Sequence, residues 1–180
     1  TAISNTPVAT RAAGVTTFAP TPPLPTQLMA LALGAFQRST DGVVSLNTLA
    51  AGANDDWVLA TAVAALAFFE GWLGRPYPFA KLDLILLPET AAVGMENTGA
   101  IVLRQAAVAR PTREAATLIA HEIAHQWFGG LVTPASWEDL WLNEGFATWL
   151  APKAVTPDLA DEAAEAAALR TALVADSGPG

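Results

Sequence analysis

The chain has 180 residues, 52% of them hydrophobic and 14% charged, which fits one folded domain with a sizeable core and excludes a disordered chain. Its 9 basic and 17 acidic side chains leave a net charge of −8, with no Lys/Arg cluster to follow a phosphate backbone, so no nucleic-acid partner is expected. The absence of cysteine excludes disulfides and thiolate ligands, so a metal here must be held by histidine and carboxylate.

Residues 1–27 carry Pro7, Pro20, Pro22, Pro23 and Pro25 among Ser, Thr and Asn, and predict an irregular lead-in to a main domain over 28–180. The start at Thr1, with no basic-then-apolar leader, reads as a processed or excised piece. Leu28 to Phe36 and Val43 to Leu49 are apolar runs separated by Asp41-Gly42, a hairpin signal. Asn54-Asp55-Asp56 caps a helix expected to run to about Leu73, with Gly74 just past its end. The longest apolar stretch, Trp57 to Phe69, falls short of the ~18 residues of a membrane span, so none is expected. The compartment stays open, with the cytoplasm favoured.

Arg75-Pro76-Tyr77-Pro78 forces extended chain, and Leu82 to Leu87 predicts a buried strand closed by Pro88. Ala100 to Leu103 predicts a second strand, with Gly94-Met95-Glu96-Asn97 in the loop between them. Ala115, Leu118, Ile119, Ile123 and Phe128 recur at helical spacing, giving a helix over 112–128 that Gly129-Gly130 stops. Another helix starts near Ser136 and ends before Pro152, and Thr156-Pro157 opens a last alanine-rich helix to about Ala175.

Both histidines of the chain lie in His121-Glu122-Ile123-Ala124-His125. Residues four apart on a helix are about 40° apart in azimuth and about 6 Å apart in rise, so two imidazoles can converge on one ion. Glu122 then points to the open side of the metal without ligating it. A catalytic zinc site needs a third protein ligand and a vacant position. The Gly and His required three and six residues after the second histidine in a metzincin are Phe128 and Leu131 here. The alternative, a glutamate on a following helix, is met by Glu144 in Asn143-Glu144-Gly145, with eighteen residues between it and His125. His121, His125 and Glu144 are therefore the expected Zn2+ ligands, one ion per chain, and Glu122 the general base. Glu138 and Asp139 either support the histidines or, as the reading preferred here, interact with the dipole at a helix start.

With HEIAHQWFG at 121–129 and WLNEGFATWL at 141–150, the chain resembles the zinc aminopeptidase family typified by aminopeptidase N, a group that includes the leukotriene epoxide hydrolase. Pro76-Tyr77-Pro78-Phe79 with Lys81 and Asp83 resembles the family's entry to its catalytic domain. Val93-Gly94-Met95-Glu96-Asn97 resembles its exopeptidase motif, usually written GAMEN, with Val93 in place of the first Gly. The resemblance implies an α+β, thermolysin-like gluzincin catalytic domain, with a small mixed sheet packed beside helices. It further implies that Glu96 holds the free α-amine of a peptide substrate, with Gly94, Met95 and Asn97 shaping the same substrate-binding segment. Family members carry a transition-state-stabilising tyrosine downstream of the third ligand, whereas the only tyrosine here is Tyr77, upstream. Missing N- and C-terminal domains of a larger enzyme are the implied partners. Three readings follow: an aminopeptidase, a zinc endopeptidase of the same class, and a non-catalytic zinc-binding fragment; epoxide hydrolysis has no support in the residues.

Overall fold

The computed structural model describes residues 1–155; the helix expected over 156–175 lies outside them. Residues 1–27 depart from expectation, for they hold three short strands: β1 (Ala2–Ser4), β2 (Val8–Ala12) and β3 (Val15–Phe18). The prolines flank these strands without interrupting them, and Ala13-Gly14 closes the β2–β3 hairpin with the two positive φ angles, 49° and 78°, that a two-residue turn needs. β4 (Leu31–Leu33) pairs antiparallel with β1.

The principal sheet has five strands in the order β5-β6-β7-β9-β8. β5 (Gln37–Asp41) and β6 (Val44–Thr48) form the hairpin expected at Asp41-Gly42, although the outer strand is the polar stretch after Phe36, not the apolar run before it. α1 (Asp55–Leu73) crosses from β6 to β7 (Leu82–Leu87), which pair in parallel. The chain then reaches the far edge as β8 (Gly94–Met95) and returns as β9 (Ala100–Arg104) between β8 and β7. Gly94-Met95, expected in a loop, is thus an edge strand antiparallel to β9.

Period-two alternation divides β7 and β9 between two cores. Leu82, Leu84, Leu86, Ile101 and Leu103 face the helices and join Val58, Ala62, Leu66 and Phe69 of α1. Ile85 and Ala100 face the other way and pack with Ile3, Ala32 and Phe36 of the N-terminal segment. By length and composition α1 could cross a bilayer, which the sequence reading did not anticipate, but here it packs along the sheet. Gly74 ends it in the left-handed conformation, φ 61°.

α2 (Arg113–Ala124) begins at Thr112, whose hydroxyl accepts the Ala115 N–H, and ends four residues earlier than expected. Past Ala124 the spiral first tightens, Gln126 and Trp127 donating to carbonyls three residues back, and across the glycines the carbonyls of His125, Gln126 and Trp127 then accept from amides five residues on. Ser136 caps a short 3₁₀ turn, Trp137–Asp139, and α3 (Leu140–Val155) follows directly. Pro152 does not terminate α3, because Ala147, Leu150 and Ala151 are buried in the core and hold the helix through it. Glu138 is exposed and Asp139 half-buried at this helix start, in keeping with the dipole reading.

Candidate metal centre

His121 lies in the last turn of α2 and His125 caps it, so both imidazoles leave one helix end in the same direction. Their Nε2 atoms are 3.1 Å apart and their rings stand nearly perpendicular, at 87°. Glu144 reaches them from the first turns of α3, its Oε2 3.4 Å from His121 Nε2 and 3.6 Å from His125 Nε2. The three sequence-predicted ligands are therefore brought together, and among the described residues they form a group of metal-ligating atoms within 4.8 Å of one another.

The triangle can be compared with what an ion requires. A tetrahedral zinc with bonds of about 2.0–2.1 Å has ligand–ligand edges of about 3.3–3.4 Å. The observed edges of 3.1, 3.4 and 3.6 Å bracket that value. The donor set agrees as well. His125 Nδ1 lies 3.0 Å from the Phe128 carbonyl, to which it donates, so Nε2 carries the lone pair. Burial, and then the neighbouring His125, lower the pKa of His121 below the ordinary histidine value, favouring its neutral, ligating form. His125 is 2% exposed while the Glu144 side chain is 52% exposed, so the cluster opens to solvent on the Glu144 side.

Gly129 is what lets α3 come close. Its φ of 115° suits glycine alone, and a Cβ there would lie 3.2 Å from Asn143 Nδ2, one residue before Glu144.

Glu122 is 6% exposed, on the side of α2 that meets β8. A Cβ on Gly94 would fall on the Glu122 carboxylate, so the backbone of the edge strand runs directly against it. Burial, followed by repulsion from Glu96 and Glu144, pushes the Glu122 carboxyl up to about 8. A dication at the three ligands would act in the opposite direction. Glu96 is half-buried and near enough to act electrostatically on both Glu122 and His121. Met95 contributes its backbone to the β8–β9 ladder. Asn97 is buried, and its carboxamide donates to the carbonyls of Met29, at 3.2 Å, and Gln27, at 3.5 Å.

Two networks escaped the sequence reading, which named Lys81 and Asp83 only as part of a motif and gave Gln126 no role. Gln126, with no exposed surface, donates to the Glu96 carbonyl and accepts from Gly99 N–H. Asp83, 1% exposed, is held by Lys81 at 2.7 Å, Arg38 at 3.2 Å and Asn47 at 3.0 Å. The signal for Gln126 was an amide-bearing side chain inside the buried stretch that follows HExxH. Tyr77 is remote in role: its hydroxyl donates to the Lys81 carbonyl and its ring packs against Trp127.

The pattern describing the peptidase family M1 domain matches residues 57–176. Tricorn protease-interacting factor F2 of Thermoplasma acidophilum is 40% identical over 148 residues, which are 77% of this chain and 19% of that protein. Its counterpart in Thermoplasma volcanium is 39% identical over 167 residues, 86% of this chain and 21% of that protein. Aminopeptidase M1-A of Oryza sativa subsp. japonica is 39% identical over 147 residues, 74% of this chain and 17% of that protein. The chain spans about a fifth of the length of these relatives.

Proposed function

Because this chain belongs to peptidase family M1, we propose that it is the zinc-binding catalytic portion of an aminopeptidase that removes N-terminal residues from peptides. The observation that carries the reading is the triangle of His121 Nε2, His125 Nε2 and Glu144 Oε2 beside a buried Glu122. In this reading residues 28–180 form a thermolysin-like catalytic domain, and 1–27 lead into it along the far face of the sheet. The arrangement of a histidine-bearing helix, a glutamate-bearing helix and an antiparallel edge strand beside them supports that assignment.

His121, His125 and Glu144 hold the ion and leave its solvent side free. Zinc, when bound there, supplies Lewis-acid polarisation of the scissile carbonyl and lowers the pKa of water. Glu122 accepts a proton from the attacking water on a carboxylate oxygen and passes it to the departing amine nitrogen. Glu96 pairs with the substrate's α-ammonium, so only the first peptide bond reaches the reacting centre. The exposed edge of β8 gives an extended peptide a backbone to lie along. The substrate class is short peptides with a free N-terminus, and the remaining parts of a longer enzyme are the proposed partners.

A second reading, a zinc-binding portion with weak or no turnover alone, is favoured by one observation. The only tyrosine, Tyr77, is engaged with Lys81 and cannot serve the metal centre. Aminoacyl arylamides and their N-acetylated forms separate the readings. The zinc-loaded chain is expected to release the arylamine from the free substrate and not from the blocked one. One equivalent of bound zinc with no rate above that of Glu122→Gln would reject the enzyme reading, and cleavage of the blocked substrate would favour an endopeptidase.

A further inference from the structure

Residues 96–99 join β8 to β9, and each is held by a side chain or backbone group from elsewhere in the chain. The carbonyl of Glu96 accepts from Gln126 Nε2 at 3.3 Å. Asn97 is tied to Met29 and Gln27, and the Thr98 carbonyl accepts from Asn5 Nδ2 at 2.8 Å. Gly99 donates its N–H to Gln126 Oε1 at 2.8 Å, while its carbonyl accepts from Lys81 Nζ at 2.6 Å. Gly99 has φ 68°, and a Cβ there would strike the Asn5 carbonyl, so the segment is closely confined.

Of these gripping groups, only Gln126 belongs to the end of α2 that bears the metal ligands. It directly follows His125, has no exposed surface, and is fixed in its own backbone by bonds to Ile123 and Leu131. One carboxamide thus uses its acceptor and its donor on two points of the segment carrying Glu96. Lys81 and Asn5 hold that segment to the sheet and the N-terminal strands, but they say nothing about its place relative to the histidines.

We propose that Gln126 is a positioning residue that sets the separation between Glu96 and the metal centre, and through it the selectivity for a free α-amine. This rests on the reading of Glu96 as the amine partner. The physical basis is short range. A carboxylate and an ammonium form a strong charge-assisted bond only within about 3 Å, so a segment that drifts relative to the metal loses the bond while the metal keeps its own ligands.

The test uses the full zinc-loaded chain and two probes, leucine hydroxamate and N-acetyl-leucine hydroxamate, with binding measured by calorimetry. The wild type is expected to prefer the free amine about tenfold or more, the worth of a hydrogen bond between charged groups. Glu96→Gln should abolish that preference; its survival would remove the reading of Glu96 and this proposal with it. In Gln126→Met, which keeps the volume and loses both bonds, the preference should shrink about tenfold. Its zinc affinity and its affinity for the acetylated probe should match the wild type. Full retention of the preference in a folded Gln126→Met, with Glu96→Gln behaving as expected, overturns the proposal alone. Equal loss for both probes assigns Gln126 a merely structural role and also overturns it. A variant-free measurement stands beside these: the Gly99 amide of the wild type should exchange slowly with solvent hydrogen, and exchange at the rate of an open loop would refute the proposal.

Discussion

Replacing Glu144 by alanine separates the metal site from the stability of the metal-free fold. Without an ion, the Glu144 side chain is half-exposed and its contacts to the histidines, at 3.4 and 3.6 Å, are worth only about 0–1 kcal/mol, since burial holds His121 toward its neutral form. Glu144→Ala in chelator should therefore leave the melting temperature almost unmoved. With zinc the situation changes, because a ligand that binds only the folded state stabilises it by RT ln(1 + [L]/Kd), about 4.1 kcal/mol at a thousandfold excess over Kd. For a chain of this size that is a rise of roughly 8–16 °C in Tm. Removing one of three protein ligands, at an assumed loss of about a hundredfold in affinity, leaves about 1.4 kcal/mol at the same free zinc, or roughly 3–6 °C. Thermal melts at buffered free zinc, followed by circular dichroism, read the difference directly. An equal zinc-induced rise in wild type and Glu144→Ala would refute the three-ligand geometry, as would the absence of any rise in the wild type.

Burial, with Asp83 nearby, holds the Tyr77 phenol far above its usual range, and because it is the only tyrosine its ionisation can be followed cleanly at 295 nm. A raised folded-state pKa contributes stability that is full below the unfolded value near 10 and falls by up to about 1.4 kcal/mol per pH unit above it. Phenolate should thus appear only together with alkaline unfolding, and a reversible titration near pH 10 in the folded state would contradict the burial. The same exchange at two glycines should have opposite signs. Gly71→Ala in α1, where a Cβ meets open space, should stabilise by about 0.5–1 kcal/mol, whereas Gly129→Ala, at φ 115° and against Asn143, should destabilise by about 1–3 kcal/mol and weaken zinc binding. Urea denaturation and zinc titration check both, and equal effects at the two positions would undo the argument.

What could be read from the sequence was whatever buries one regular face. α1 was legible from its acidic start and Gly74, β7 from an uninterrupted apolar run, and α2 from helical recurrence ending in the two histidines. β2 and β5 escaped because every residue in them is exposed, and β3 because its alternate residues are no more than half-buried. The end of α2 at Ala124 escaped because it depends on the Phe128 and Val132 region folding back, a tertiary event with no local signature. The metal ligands were legible because HExxH sets its own geometry and the distant Glu144 is selected by spacing. Gln126 was not, since its partners at Glu96 and Gly99 are 27 to 30 residues away in sequence and only the fold reveals them.

The third ligand comes from a different helix, separated from the second by eighteen residues, and the intervening stretch includes the exposed positions 131–133. An ion held at that place would act as a removable rivet through two rods joined by a slack cord. A protease nick within the cord would then leave the two pieces joined by the ion as well as by the buried Ala147, Leu150 and Ala151, and they should part at a lower denaturant concentration under chelation than with metal present.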